Sequence, residues 1–427
     1  MAEIRPFHGL RYDQEKVKLS EVVAPPYDVI SKEYQEELYR RSPYNVVRLI
    51  LGKEMDRYRE AARNLSRWQE ESVLRRDLKP SLYCLAQSFG GSDGVRYERV
   101  GFVAACWLEE FSAGVILPHE KTLSKPKEDR FRLVQATKAN FSQIFGLYSD
   151  PGGTVDGILR EVMRADPLLQ VDFEGVSNRL WIMNDPATIN AVVSAMRGKS
   201  ILIADGHHRY ETALAYRDFM KLKTTSSTDK QPFNYTMMFF ADMDAQGLVI
   251  LPTHRVVHSL SSFDPREFLD RLKKNFVIRS ESSQAAHLQA LSAERELSFG
   301  VVLEDGFYLI RLKQKELLSQ LFGESVPPEI RELDVTLLHS YILEKLLGIS
   351  VEAQERKSNL EYVKDVDDAV RGVHAGGQVA FLMNPTRVDQ VRRVARAGHT
   401  MPQKSTYFYP KLVTGLVMNS LDQNNGE

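Results

Sequence analysis

The chain has 427 residues, of which 43% are hydrophobic and 26% charged, and this composition excludes wholesale disorder. Lys plus Arg is 56 against 57 for Asp plus Glu, a formal net charge of -1, which argues against a nucleic-acid coat with its basic excess. Two cysteines, Cys84 and Cys106, make neither a disulfide framework nor a CxxC metal site and suit a reducing, cytoplasmic setting.

Length sets roughly two or three domains at about 150 residues each. No apolar run approaches the ~18 residues that span a bilayer. The longest, such as 237–241, have strand length. The start, Met1-Ala2-Glu3-Ile4-Arg5-Pro6, lacks the apolar stretch of a secretory signal. The expectation is a cytoplasmic protein with small-molecule partners and with neither membrane nor nucleic acid as a partner. Sequence does not give its oligomeric state.

Residues 1–80 read as turns and helices. Ala24-Pro25-Pro26-Tyr27-Asp28 is held extended, because each proline fixes its own φ and restricts the residue before it. Ser31 caps a helix running to about Arg41, and a charged helix follows at 54–75. From 81 the chain turns to strands. Stretches 81–89 and 96–108 are aromatic and β-branched, with Gly90-Gly91-Ser92-Asp93-Gly94 as a hairpin loop. Val115-Ile116-Leu117 leads into Pro118-His119-Glu120. Stretch 127–139 has helical spacing, and 144–148 is a strand. Asp185-Pro186 starts a helix that buries Ile189, Val192, Val193 and Met196 and stops at Gly198.

A short buried strand at 200–204 runs into Asp205-Gly206-His207-His208-Arg209, and a helix begins at Tyr210. Residues 234–257 read as a hairpin turning at Asp244-Ala245-Gln246-Gly247. Asp264-Pro265 opens a further helix. Beyond it lie a hairpin at Asp305-Gly306, helices near 313–322 and 334–347, and alternating strand and helix from 359 to 420. Residues 224–229 form a polar loop and 422–427 a polar tail.

The Asp205–Arg209 loop is where chemistry is expected. The first turn of a helix leaves backbone N–H groups unpaired at the positive end of its dipole, a ready anion site. Gly206 lets a ligand approach the backbone. His207, His208 and Arg209 add donors suited to phosphate oxygens. Asp205 suits a metal ion or a substrate hydroxyl. The bland alternative is a capping Asp followed by a surface His pair.

A second cluster is Pro118-His119-Glu120-Lys121-Thr122, continuing through Lys125, Lys127 and Arg130. It suits a general base beside a phosphate surface, or else a solvated loop before a charged helix. Residues 403–411 mix cations and aromatics. They would supply Lys404, Ser405 or Thr406 to a substrate carboxylate or phosphate, or else form a strand with alternating faces. His254 and His258 lie four apart, but flanking Val249-Ile250-Leu251-Pro252 and Val256-Val257 suggest strand, which separates them by roughly 13 Å. Structural histidines are expected there.

The Asp205–Arg209 loop and the Pro118-His119-Glu120 turn together resemble the free serine kinases of the ParB/sulfiredoxin superfamily. Those proteins bind nucleotide phosphates through a Gly-x-His-Arg loop at a helix N-terminus. The full chain resembles the bacterial domain-of-unknown-function 1015 family. That resemblance rests on Val23-Ala24-Pro25-Pro26-Tyr27-Asp28-Val29-Ile30, Arg41-Ser42-Pro43-Tyr44-Asn45-Val46-Val47-Arg48 and Met401-Pro402-Gln403-Lys404-Ser405-Thr406-Tyr407-Phe408-Tyr409-Pro410-Lys411.

The resemblance implies an α+β fold. Residues 1–80 would be an N-terminal extension, 81–255 a ParB/sulfiredoxin-like nucleotide-binding core, and 256–427 a C-terminal α+β region. It also implies phosphoryl transfer between a nucleotide, ADP or ATP, and free L-serine or O-phosphoserine, in either direction. Gly206, His207, His208 and Arg209 would then hold the nucleotide phosphates. Asp205 would bind Mg²⁺ or orient the serine hydroxyl. Glu120, facing the loop, would take the hydroxyl proton, with His119, Lys121, Lys404 and Ser405 as further contacts. A histidine, His207, stands where sulfiredoxins carry their cysteine, so sulfinic-acid reduction is disfavoured. No basic recognition helix follows residue 255, which disfavours DNA partitioning. Two alternatives remain: a nucleotide-binding regulator without turnover, and a zinc hydrolase using His207, His208 and Glu211.

Overall fold

The computed structural model describes residues 2–91, 94–120, 124–224, 231–294 and 297–422, with the backbone alone for 124–126. The expected tip of the 90–94 loop, most of the 224–229 loop, the tail beyond 422, Lys121 and the Lys125 side chain lie outside the described residues. The chain forms two compact units. The first takes residues 1–118, 122–249 and 410–427, and the second takes 119–121 and 250–409. Both mix helices and strands, so the α+β class holds.

The first unit is built on a sheet of nine strands among the described residues. Its order is Ile116–Leu117, Ile201–Asp205, Ile144–Tyr148, Tyr235–Asp242, Arg96–Trp107, Leu82–Gly90, Val176–Met183, Leu169–Phe173, with Ile4–Arg5 paired to Arg96–Trp107. Tyr235–Asp242 is central. It runs parallel to Ile144–Tyr148 and antiparallel to Arg96–Trp107. Met237, Met238, Phe239, Phe240 and Ala241 are all buried, so this strand reads as an unbroken apolar run rather than an alternation. One face of the sheet packs into a core containing Phe102, Ile144, Ile201, Ile203, Met238 and Phe240. Tyr210 and Leu214, one helical turn apart, close on the same cluster.

Local signals set the helix starts. Ser31 accepts from the Tyr34 N–H ahead of helix Lys32–Arg41. Asp185 accepts from the Thr188 N–H ahead of Pro186–Met196. Asp264 accepts from the Glu267 N–H ahead of Pro265–Leu272.

The second unit carries a six-stranded sheet among its described residues. Its order is Phe276–Glu281, Gly306–Leu312, Ser298–Leu303, Val379–Leu382, His254–Val257, Leu360–Val363. The hairpin at Asp305-Gly306 forms as expected, with Leu303 opposite Gly306.

Two elements differ from the sequence expectation. The 234–257 hairpin does not form. Both edges of Tyr235–Asp242 are already taken inside the nine-stranded sheet, and Val249–Leu251 pairs instead with Tyr407–Tyr409. The helix expected at 334–347 begins as a short α-turn, Asp334–Thr336, and continues as a π-helix over Leu337–Leu346. Apolar periodicity does not resolve 3.6 from the wider π turn over so short a stretch. Among the described residues no helix is long and apolar enough to cross a membrane.

Candidate functional site

Strand Ile201–Asp205 delivers the loop. It pairs antiparallel with Ile144–Tyr148, with Ile203 opposite Gly146 and Asp205 opposite Phe145. That register shift is a bulge at Ala204, the kind of irregularity that re-aims a side chain at a sheet's end. Gly206 follows with φ +93°, a conformation that glycine adopts without penalty. A Cβ there would also come within 3.0 Å of the Arg209 guanidinium. Helix His207–Lys223 then starts three residues earlier than its apolar pattern predicts, with its first bond from the Tyr210 N–H to the Gly206 carbonyl. His207, His208 and Arg209 therefore occupy the first turn, where backbone N–H groups point out of the helix.

Asp205 is gripped by two cations. The Arg209 Nη2 donates to Oδ2 at 2.6 Å, and the Lys411 ammonium pairs with Oδ1. All three side chains are largely enclosed, at 18% exposure for Asp205, 14% for Arg209 and 15% for Lys411. Burial alone would raise the Asp205 pKa, but Lys411 and Arg209 outweigh it and hold the carboxyl well below its ordinary range. One carboxylate against two cations leaves the cluster with a positive excess, which adds to the helix dipole. Arg209 also donates to the Gln143 carbonyl, which fixes its guanidinium plane.

Lys411 is held from behind by a buried polar network. Arg99 is 2% exposed and donates to the Pro410 carbonyl at 2.5 Å and to Gln87 Oε1. Gln87 in turn donates to Asn178 Oδ1 at 2.9 Å and reaches the Lys411 carbonyl at 3.4 Å. Arg99 lies 4.6 Å from the Phe145 ring centroid. Burial lowers its pKa to about 9, with the Asp205 charge acting in the opposite sense.

A small cavity of about 70 Å³ adjoins Arg209, lined also by Tyr27, Arg130, Ser142 and Thr212. Tyr27 comes from the Pro25-Pro26-Tyr27-Asp28 segment, and its ring stacks 4.0 Å from the Arg130 guanidinium carbon. Burial raises the Tyr27 pKa, while Arg130 and Arg209 oppose that rise. Arg130 belongs to the cationic run read from sequence as a phosphate surface, whereas Tyr27 and Lys411 were not assigned to the site from sequence. The proline-rich segment and the Pro410-Lys411 pair were visible there, but no local pattern says what they touch.

Glu120 and its companions belong to the second unit. Glu120 makes a parallel bridge to Met401, and its Oε1 accepts from the Lys404 N–H at 3.4 Å. His119 is buried, with Nε2 2.9 Å from the Thr406 hydroxyl. Ser405 turns its hydroxyl to the Pro402 carbonyl, and Lys404 is exposed with φ +56°. The 401–406 segment thus returns to the Pro118-His119-Glu120 turn, although Lys404 and Glu120 are 284 residues apart in sequence.

A divalent cation does not fit directly at Asp205, because both carboxylate oxygens are already paired with cations. Among the described residues no group of three or more His, Cys, Asp or Glu side chains is placed to hold a metal ion. Glu211 is paired with Lys127 at 2.6 Å. His254 lies in strand His254–Val257, where its Nδ1 accepts from the Met383 N–H. Burial, then Arg255, lowers its pKa to about 4. His258 contacts the Ser259 hydroxyl.

Residues 4–336 match the family described as Protein of unknown function (DUF1015). The chain belongs to that family. The match ends at Thr336, so the 401–411 segment lies outside it. No curated protein matches the chain. Among solved structures, a free serine kinase in complex with AMP is 15% identical with a TM-score of 0.34, covering 71% of this chain and 89% of that one. SbnI with a C-terminal truncation from Staphylococcus aureus is 11% identical with a TM-score of 0.38, covering 76% and 90%. A conserved hypothetical protein from Pyrococcus furiosus is 14% identical with a TM-score of 0.34, covering 71% and 93%. With TM-scores this low, the three likenesses carry no weight for the site.

Proposed function

We propose that this DUF1015 chain is a phosphotransferase that works between a nucleotide and free L-serine or O-phosphoserine, using a ParB/sulfiredoxin-like core. The supporting observation is the Asp205 loop itself: a bulged strand end, a left-handed glycine, a helix N-terminus and two cations set against one carboxylate. That arrangement suits a polyphosphate. The first-turn amides of His207, His208 and Arg209 and the His208 ring bind phosphate oxygens. Arg209 and Lys411 supply charge, and Asp205 is a positioning residue that holds both.

The Pro118-His119-Glu120 motif assigns the base to Glu120. In the forward direction the serine hydroxyl oxygen attacks the terminal phosphorus. The bond from that phosphorus to the nucleotide oxygen breaks, and Glu120 accepts the hydroxyl proton. Phosphoryl transfer depends mainly on alignment and charge neutralisation, and the Asp205 loop with Arg209 and Lys411 supports the second of these. The reverse reaction uses the same groups.

A second reading is a nucleotide-binding regulator without turnover. Its specific support is the occupied state of Asp205, which is not available to a metal without displacing a cation. Incubating the full chain with ADP or ATP and serine, or with phosphoserine, and following phosphoserine by ³¹P NMR separates the two. Interconversion in either direction supports the transferase. Tight nucleotide binding with no interconversion in either direction overturns it in favour of the regulator.

A further inference from the structure

The second unit contains a cavity of about 350 Å³, within the size range of small-molecule sites. Its lining falls between residues 322 and 403, apart from the Asp205 loop in sequence and in unit. One wall is the π-helix Leu337–Leu346. π-Helical turns are rare, usually a single bulge, and they gather at functional sites. Here the wide turn has a direct consequence. With bonds from i to i+5, side chains five apart share a face, and His339 and Glu344 both line the cavity. In an α-helix the same separation turns a side chain by about 140°.

The lining is chemically one-sided. Phe322, Ile330 and Val351 give it an apolar wall. Thr336 is 3% exposed, and its hydroxyl has no hydrogen-bond partner among the described residues. An unmet buried hydroxyl is a standing cost that a bound ligand relieves. His339 contributes no charge. Burial, then Arg255, lowers its pKa to about 3, and it sits between Gln354 Oε1 at 2.8 Å and Arg255 Nε at 3.2 Å. Because Arg255 Nε must donate, His339 carries its proton on Nδ1 and gives it to Gln354. Glu344 and Glu355 are both exposed, and no Lys or Arg lines the cavity.

We propose that this cavity binds a small amphipathic amine. Its apolar body fills the space beside Phe322 and Val351, a polar atom meets the Thr336 hydroxyl, and its ammonium group faces Glu344 and Glu355. Charge complementarity selects this class over a carboxylate or phosphate ligand.

The test is calorimetric titration of the full chain with 2-phenylethylamine and with 3-phenylpropionate, which share a body and differ in charge. The amine should bind saturably and at least about tenfold tighter than the acid. Glu344→Gln with Glu355→Gln, both on exposed side chains, should weaken amine binding about three- to tenfold, the range for a pair of partly exposed ion pairs. Ser340→Trp should abolish it by filling the cavity, and an unchanged melting temperature verifies that this variant folds. Equal affinity for amine and acid overturns the proposal. So does an absence of saturable amine binding, or a double glutamine variant that binds like the parent. None of these outcomes bears on phosphoryl transfer at the Asp205 loop.

Discussion

The Asp205 cluster and the His339 cluster each bury polar groups beside a buried arginine, and they solve the problem differently. Beside Arg99, the first unit places a true carboxylate between two cations. Around Arg255, the acceptors among the described residues are neutral: the Lys404 carbonyl at 2.9 Å, the Thr253 carbonyl and the His339 ring. Burial lowers the Arg255 pKa to about 10. The first arrangement leaves surplus positive charge at a helix N-terminus, suited to an anion. The second keeps the Arg255 charge behind the His339 ring and lines its cavity with the exposed carboxylates of Glu344 and Glu355, which suit a cation. Interior electrostatics, more than fold class, therefore separate the two regions.

The largest expected effect concerns catalysis. Glu120→Gln should lower turnover by about 10²–10⁴-fold while nucleotide binding survives, the usual range for a general base. Unchanged turnover would remove Glu120 from the mechanism and leave the Asp205 loop as a binding element only.

Two stability measurements sharpen the contrast between charged and neutral clusters. Asp205→Asn strands two cations together, so urea unfolding should show a loss toward the low end of about 3–5 kcal/mol, given partial exposure. Gln354→Ala removes only neutral hydrogen bonds, to the His339 and Ile349 carbonyls and from the His339 ring, and should cost about 1–3 kcal/mol. A larger loss for Gln354→Ala than for Asp205→Asn would reverse the comparison. Gly206→Ala adds strain at φ +93° and presses on Arg209, for a loss of about 1–2 kcal/mol.

Acid should distinguish the units too. His339 and His254 have folded pKa values lowered to about 3 and about 4 from 6.5. Both bind protons less readily when folded, so their contribution is complete above the unfolded value and is lost as pH falls from about 6.5 toward those values. The Asp205 pKa is also lowered, so its contribution is complete above about pH 4–5 and is lost only at lower pH. The second unit should therefore soften first on acidification, read by hydrogen exchange at pH 5. Equal exchange across both units at that pH would contradict the ordering.

What was legible in the sequence was local. Ser31, Asp185 and Asp264 announce their helices, because a cap and its N–H partners lie within three residues of each other. The Asp-Gly-His-His-Arg loop was legible for the same reason, as strand, glycine and helix start are contiguous. The Lys411 partner of Asp205 was not, since 206 residues separate them and Arg99, Gln87 and Asn178 do the placing. The missed 234–257 hairpin has a similar cause. Its first strand reads as a hairpin arm locally, but long-range pairing on both edges decides its neighbours. The π-turn at Leu337–Leu346 was hidden because its apolar spacing also fits an α-helix.

The central claim is that the Asp205 loop grips a polyphosphate, and calorimetric titration of ADP into the full chain tests it most directly, beside the Arg209→Met and Lys411→Met variants. The account predicts saturable binding by the parent chain and a loss of at least about tenfold in each variant, since charge-assisted contacts contribute about 1.5–3 kcal/mol apiece. Absence of ADP binding by the parent chain, or affinity unchanged in both variants, would contradict it.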